Sequence, residues 1–258
     1  MSESRVNEEV TLRESMDEII LWYRSTSILS IDHQHGQNTT PLIGDFEIYS
    51  SAICKQIDLL LSIKESDHFN SFSEQTSYYE DKFVLLNDIM TKLNEAQKKW
   101  CYLEPIYANG TITVQQDIFQ RANDGFRSIM RKNGNTKLKS LTDEKRNNNL
   151  NENISYIIMD LNKCQKSITR FLEEKRSSCP RLYFLGDDSL LEMIGHSTQS
   201  ERLQPHMKHL FQAINSLVFD NLEVSILGFK SAEGEEVLLN KVISQHIALR
   251  QIIIEWIH

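Results

Sequence analysis

Chain breakers are scarce here: 9 glycines and 4 prolines in 258 residues. A strand-rich fold with many tight turns needs more of both, so long helices are expected. Excess positive charge is missing as well. A net charge of −8 and a pI near 5.5 exclude the extended basic face of a nucleic-acid binder. No apolar run approaches the roughly 20 residues of a membrane-spanning helix; Ile252-Ile-Ile254 is among the densest. The first residues, Met1-Ser-Glu-Ser-Arg5, are polar and unlike a secretory leader. Cys54, Cys101, Cys164 and Cys179 form no Cys-x-x-Cys pair. Reduced thiols are therefore expected, and a zinc site would need long-range convergence. No phosphate-cradling glycine loop is encoded. Gly134-Asn-Thr-Lys-Leu-Lys-Ser140 has the ingredients but lacks the second glycine of the nest. Gly-x-Gly-x-x-Gly and Gly-x-Ser-x-Gly are also missing.

What is present is helical periodicity. Apolar residues make up 40% and charged residues 25%, a globular balance, and the length suits one large or two small domains. Residues 1–10 read as a disordered start. A helix follows over about 11–23, with Leu12, Met16, Ile19, Ile20 and Tyr23 on one stripe. Residues 27–31 read as extended and 33–41 as a polar loop. Residues 44–64 are helical again, with Ile53, Ile57, Leu60 and Leu61 inward, and 67–73 break the pattern. Over 77–100 the stripe is Tyr79, Phe83, Leu86, Met90, Leu93, Gln97 and Trp100, a heptad seam with one polar member. Pro105 and Asn109-Gly110 mark a turn. A shorter helix over 114–131 turns Phe119, Ala122, Phe126, Ile129 and Met130 inward. Residues 133–149, rich in Asn and Lys, read as a flexible insertion between two helical parts, 11–132 and 150–258.

The strongest helix runs over 147–176, about 45 Å at ~1.5 Å per residue. Its seam is Leu150, Ile154, Ile157, Leu161, Cys164, Ile168 and Phe171. Ordering costs ~1–2 kcal/mol per residue against ~1.5–3 kcal/mol per large apolar side chain buried. The seam therefore needs a partner, most simply the 77–100 helix. Pro180 ends it. Residues 182–185 read as a buried strand. Ser189 and Glu192 form a capping box for a short helix that Gly195 stops. Pro205 suits the first turn of another helix, with Met207, Leu210, Phe211, Ile214 and Leu217 on its apolar face. Residues 222–229 and 236–239 read as a β-hairpin. A last helix over 242–257 ends without a cap, as expected of a chain cut within a larger architecture.

Candidate chemistry is thin. Asp187, Asp188 and Glu192 are metal or acid/base candidates, but carboxylates at a helix N-terminus are favoured as caps. His196, His206 and His209 lie close in sequence, and three solvated histidines are favoured over a metal site. Cys164 reads as a small core residue, and Trp100 and Trp256 as packing anchors. Glu173-Glu-Lys-Arg176 reads as a solvated helix end whose basic residues complement the dipole. Residue chemistry alone supports a helical scaffold without an active site.

Four ordered stretches carry a resemblance. They are Ala96-Gln-Lys-Lys-Trp-Cys-Tyr-Leu-Glu-Pro-Ile-Tyr107; Phe126-Arg-Ser-Ile-Met130; the block from Lys163-Cys-Gln-Lys through Phe171-Leu-Glu-Glu-Lys-Arg176, Pro180-Arg-Leu-Tyr-Phe184 and Asp187-Asp-Ser-Leu-Leu191; and Leu203-Gln-Pro-His-Met-Lys-His-Leu-Phe-Gln-Ala-Ile214 with Ser231-Ala-Glu-Gly-Glu-Glu-Val237. A fainter one is Pro41-Leu-Ile-Gly-Asp-Phe-Glu47. Together, over about 10–245, they resemble the linker region of dynein heavy chains. Arg127-Ser-Ile-Met130 and the stretch Gly186-Asp-Asp through Gly195-His-Ser-Thr198 are most similar to the cytoplasmic branch that powers retrograde intraflagellar transport. The residues matching the family signature are Trp100, Glu104, Pro105, Lys163, Phe171, Lys175, Arg176, Pro180, Arg181, Phe184, Asp187, Asp188, Leu191, Pro205, Leu210, Phe211, Glu233 and Gly234. Phe46 stands where the family usually has Trp, and Cys179 and Leu182 replace phenylalanines beside Pro180.

The resemblance implies a mainly α fold: an elongated arch of packed helical bundles with a small β-hairpin near the C-terminus. It implies a non-catalytic lever lying on a ring of AAA+ modules, with ATP and magnesium held by that ring and no cofactor in this segment. Junctions near 103–110 and at Pro180 are the expected hinges. Dynein intermediate, light-intermediate and light chains and microtubules would engage other regions, in the cytoplasm, on the cytoskeleton and in cilia. Nucleic acid and membrane are not expected partners. The competing expectation is a free-standing helical adaptor or a truncated, non-motor fragment.

Overall fold

A computed structural model describes residues 2–35, 38–66, 69–108, 110, 112–147, 149–195, 200–220 and 225–244. The chain is mainly α and divides into two compact units. The first comprises Met1–Tyr102 and Asp117–Asn162, the second Leu103–Gln116 and Lys163–His258. The division expected at 133–149 therefore does not hold, because that segment lies wholly inside the first unit.

In the first unit, helix α1 spans Ser2–Ser25. The disordered start expected over 1–10 is instead helical from Ser2. The helix has an i,i+4 pair there, Glu9 with Arg13 at 3.6 Å, of the sort that supports helix without burial. Met16, Ile19 and Tyr23 are buried as the stripe requires. Strands β1 (Ser30–His35) and β2 (Asn38–Ile43) pair antiparallel, Ser30 opposite Ile43 and His33 opposite Thr40. This replaces the loop expected over 33–41. The strands carry polar residues, but Thr40 and Ile43 are buried, and Pro41 is tolerated because a two-stranded sheet consists of edges.

Asp45 caps helix α2 (Phe46–Lys64), its carboxylate accepting from the Glu47 and Ile48 amides. The buried face is Tyr49, Ile53, Gln56, Leu60 and Ile63. The phase expected from Leu60 and Leu61 is thus shifted, and Leu61 is 45% exposed. Helix α3 runs Ser73–Ala108 with Pro105 inside it. Tyr79, Phe83, Leu86, Met90, Leu93, Ala96 and Trp100 are each at most 6% exposed. Gln97, the polar seam member, spans both backbone groups of Ile43: its Nε2 donates to the carbonyl at 2.9 Å and its Oε1 accepts from the amide at 3.0 Å. Helix α4 (Gln116–Asn133) buries Phe119, Ala122, Asn123, Phe126 and Met130.

The segment 133–149 is not a flexible insertion. Leu138 and Leu141 are buried, and the backbone is stitched to the end of α1 by Ile28 N–H to Thr136 O (2.8 Å) and Leu138 N–H to Thr26 O (2.9 Å). Asn147 donates to Asn133 Oδ1 and Ser140 O. Gly134 lies close to β2, where an added Cβ would meet the Met130 carbonyl at 2.7 Å and Pro41 at 3.0 Å. Polar side chains and backbone bonds add to the two buried leucines in fixing the segment. Helix α5 spans Leu150–Ser178. Within this unit it meets α3 through Asn151, which donates to Asp88 and accepts from Lys92. It meets α4 through Arg121, whose Nη2 lies 2.7 Å from Asp160.

The second unit holds the end of α3, the later part of α5 and the remaining elements. Leu103 and Tyr107 are buried and helical, so 103–108 is not a loose junction. After α5, Pro180–Phe184 forms a short 3-10 turn rather than the expected strand. The proline's fixed φ suits the first helical position, and five residues are too few for the pattern to decide. Helix α6 is Asp187–Gly195, two residues ahead of the predicted capping box, and buries Leu190 and Met193. Helix α7 spans Ser200–Leu210 with Pro205 in its interior, so Pro205 does not open it. Leu217 belongs to a strand instead. Strands β3 (Ser216–Phe219), β4 (Ser225–Lys230) and β5 (Glu236–Ser244) form an antiparallel sheet in the order β3-β4-β5. The hairpin is present with one strand more than expected. Residues 242–244, expected to open a last helix, belong to β5; the rest of that segment, including Trp256, lies outside the described residues.

Candidate functional site

Of the signature residues Trp100 lies in the first unit and the others in the second. In the first unit Trp100 is fully buried on α3. Its indole stacks on Phe126 of α4 with centroids 5.0 Å apart and meets His33 of β1 edge-on at 5.8 Å. The indole N–H donates to Asn123 Oδ1 at 3.0 Å, satisfying the one polar group a buried Trp brings. The Arg127 guanidinium lies 5.5 Å from the ring centroid. One residue thus joins α3, α4 and the β1–β2 hairpin. Its role as a packing anchor was legible; its partner Asn123, mid-helix and polar, was not.

In the second unit the signature residues build a corner. Arg176, read as part of a solvated helix end, is only 9% exposed. Its Nη2 donates to Asp187 at 2.6 Å and to the Leu185 carbonyl at 3.0 Å, and its Nη1 reaches Glu173 at 2.9 Å. The hydrogen bond to Asp187 outweighs burial and holds the guanidinium above its ordinary pKa. The arginine ties the end of α5 to the start of α6 around the Pro180 turn. Cys179, Leu182 and Leu185 are buried beneath it, at 3%, 2% and 4% exposure. Arg181 extends the corner to α7: its Nη1 donates to Leu210 O at 3.1 Å and its guanidinium lies 4.9 Å from the Phe211 centroid. Leu210 is buried with them. Lys175 sits over the Phe171 ring at 5.1 Å, both on α5.

The other signature residues take different places. Glu104 is buried and Pro105 exposed near the end of α3. Lys163, Pro180, Asp188 and Pro205 are exposed, and Leu191 is half-buried beside the buried Leu190. Phe184 is 72% exposed. Glu233 and Gly234 form the exposed β4–β5 turn, where φ of +90° at Gly234 favours glycine.

The titratable candidates do not converge. Asp187 is held by Arg176, whereas Glu192 lies 3.6 Å from His206. His206 is buried and His209 exposed, and His196 lies outside the described residues. Among the described residues, no three His, Cys, Asp or Glu side chains are placed to hold a metal ion, and no helix is long and apolar enough to cross a membrane. Cys164 is buried. Burial, followed by the neighbouring Cys164, pushes the Tyr107 phenol above its ordinary pKa, so it stays neutral and donates to Val114 O at 3.0 Å. The arrangement is a set of anchored helix junctions.

Comparison with known proteins agrees with that architecture. The family described as "Dynein heavy chain, N-terminal region 2" matches residues 4–258. The chain is 39% identical over 250 residues to cytoplasmic dynein 2 heavy chain 1 of Homo sapiens, covering 93% of this chain and 6% of that protein. It is 35% identical over 243 residues to the protein of that name from Caenorhabditis elegans, covering 93% of this chain and 6% of that protein. The Chlamydomonas reinhardtii protein of that name is 32% identical over 234 residues, with 89% and 5% covered. A match across nearly its whole length places the chain in the dynein heavy chain family.

Proposed function

We propose that this chain is the linker of a dynein 2-type heavy chain, a passive lever in a microtubule motor that serves retrograde intraflagellar transport. The observation that carries the reading is the unbroken buried seam of α3 from Tyr79 to Trp100. A close-packed core transmits strain rather than absorbing it, which a lever requires. The Arg176 corner supports the same reading, since a charged side chain with three partners fixes the angle between successive helices. In this reading the segment is non-catalytic. ATP and magnesium are bound by an AAA+ ring elsewhere in the heavy chain, and that ring is the segment's direct partner. Dynein intermediate, light-intermediate and light chains and microtubules engage other regions. The relatives' name, cytoplasmic dynein 2, supports a place in the cytoplasm; the cytoskeleton and cilia belong to the motor reading proposed here.

The test removes the segment from a full-length heavy chain. Microtubule gliding should stop while ATP hydrolysis continues. Gliding at normal speed, or loss of hydrolysis together with motion, would overturn the lever reading. Transport is tested separately, by restoring a cilium that lacks its own dynein 2 heavy chain with one carrying this segment. Retrograde movement should return.

A further inference from the structure

The mouth of one cavity in the first unit contrasts with the charge of the chain. The chain carries −8 overall, yet a cavity of about 530 Å³ is edged by Arg24, Lys82, Lys139 and Lys145 against two carboxylates, Asp143 and Glu144. Its volume lies within the range of ligand sites. The elements that bring these cations together are the end of α1, the third turn of α3 and the segment 139–145.

The floor is fixed. Tyr23 and Tyr79 are buried and meet edge-on at 5.7 Å. The Tyr23 hydroxyl and Thr142 Oγ1 are hydrogen-bonded at 2.5 Å, and Thr142 Oγ1 lies 3.2 Å from the Lys139 carbonyl. Lys82 is held in place by donating to the Thr142 carbonyl at 3.2 Å, with its Nζ 5.6 Å from the Tyr78 ring centroid. An ammonium has three N–H groups, and this geometry uses one of them on Thr142. Asp143 is exposed and accepts the Lys145 amide at 3.0 Å. Arg24, Lys139 and Lys145 are exposed. Tyr78, 53% exposed, offers an aromatic surface beside them.

We infer that this cavity is a binding site for a short acidic peptide segment, one of whose oxyanion side chains, carboxylate or phosphate, sits among Lys82, Lys139 and Lys145. Cations that line one cavity match an oxyanion in charge and supply N–H donors to it. A long-range electrostatic pull would speed the encounter. The site does not depend on the lever reading, since it rests on this unit alone.

The test is fluorescence anisotropy on the intact chain with labelled peptides. The probes are a Glu-rich octapeptide with a central phosphoserine, its unphosphorylated serine form and a Lys-rich octapeptide. Both acidic probes should bind saturably, the phosphorylated one several-fold tighter, and the Lys-rich one should not bind. K139Q/K145Q should weaken binding roughly threefold or more with unchanged circular dichroism and thermal melt. K55Q/K98Q removes the same charge from exposed positions outside the cavity and should leave affinity unchanged. Equal tightness of the two acidic probes would assign the site to carboxylates rather than phosphate and still support it. Failure of both acidic probes to saturate would overturn it. Equal losses in the two double variants would also overturn it, because attraction would then follow overall charge and not the cavity.

Discussion

Trp100 can be removed in two steps that separate its shape from its hydrogen bond. W100F keeps a ring against Phe126 but leaves the buried Asn123 Oδ1 without the indole donor. That should cost about 1–3 kcal/mol. W100A also opens a cavity and should cost about 3–5 kcal/mol. Urea unfolding measures both, and a loss below about 1 kcal/mol for W100A would contradict its place as an anchor. Asp88, on the same helix, offers a pH probe. Burial opposes its ionisation, but hydrogen bonds from Lys92 and Asn151 prevail and hold its pKa below the ordinary 3.8. The unfolded chain therefore takes up this proton first on acidification. The stabilisation is complete above the unfolded value and is lost as pH falls through the lower, folded one. N151A should move the Asp88 carboxyl upward in an NMR titration. An unmoved value would mean that the hydrogen bond does not set it.

At the scale of elements, two segments read as loose are predicted to be firm. Residues 133–149 offer trypsin Lys137, Lys139, Lys145 and Arg146, yet buried Leu138 and Leu141 and the bonds to α1 should protect them. Limited proteolysis should cut elsewhere first; early cleavage there would restore the flexible insertion. R176A should free the start of α6 from the end of α5 at about 1–3 kcal/mol, a modest figure because Asp187 is half exposed. Hydrogen exchange at the Leu190 and Met193 amides should then quicken, and unchanged protection would remove the corner's role. The seams of α3 and α5 were legible because four-and-three spacing survives any context. At the end of α5 a strict heptad would bury Phe171, whereas the helix buries Leu172, as 3.6 residues per turn demands. The β1–β2 hairpin was illegible because its strands are largely polar, so no apolar alternation marks them. Residues 133–149 were misread because no apolar pattern reveals the bond from Thr142 to the distant Tyr23 or the bonds of Asn147 to Asn133 and Ser140 inside the segment. The cavity cations escaped notice for the same reason: Arg24, Lys82 and Lys139 lie far apart along the chain and meet only once folded.

At the scale of the molecule, two anchored junctions stand out, one at Trp100 and one at Arg176. The chain spans about 6% of the length of its human relative, and in the proposed reading its task is to transmit strain to and from the rest of a heavy chain. The central claim is that packing in this segment carries force. It is tested most directly by placing W100A in an otherwise intact heavy chain and measuring gliding velocity and ATP turnover on the same preparation. The account predicts slowed gliding with turnover retained, because a softened core yields under load while the ring still hydrolyses. Unchanged velocity in a chain whose core is measurably destabilised would contradict it.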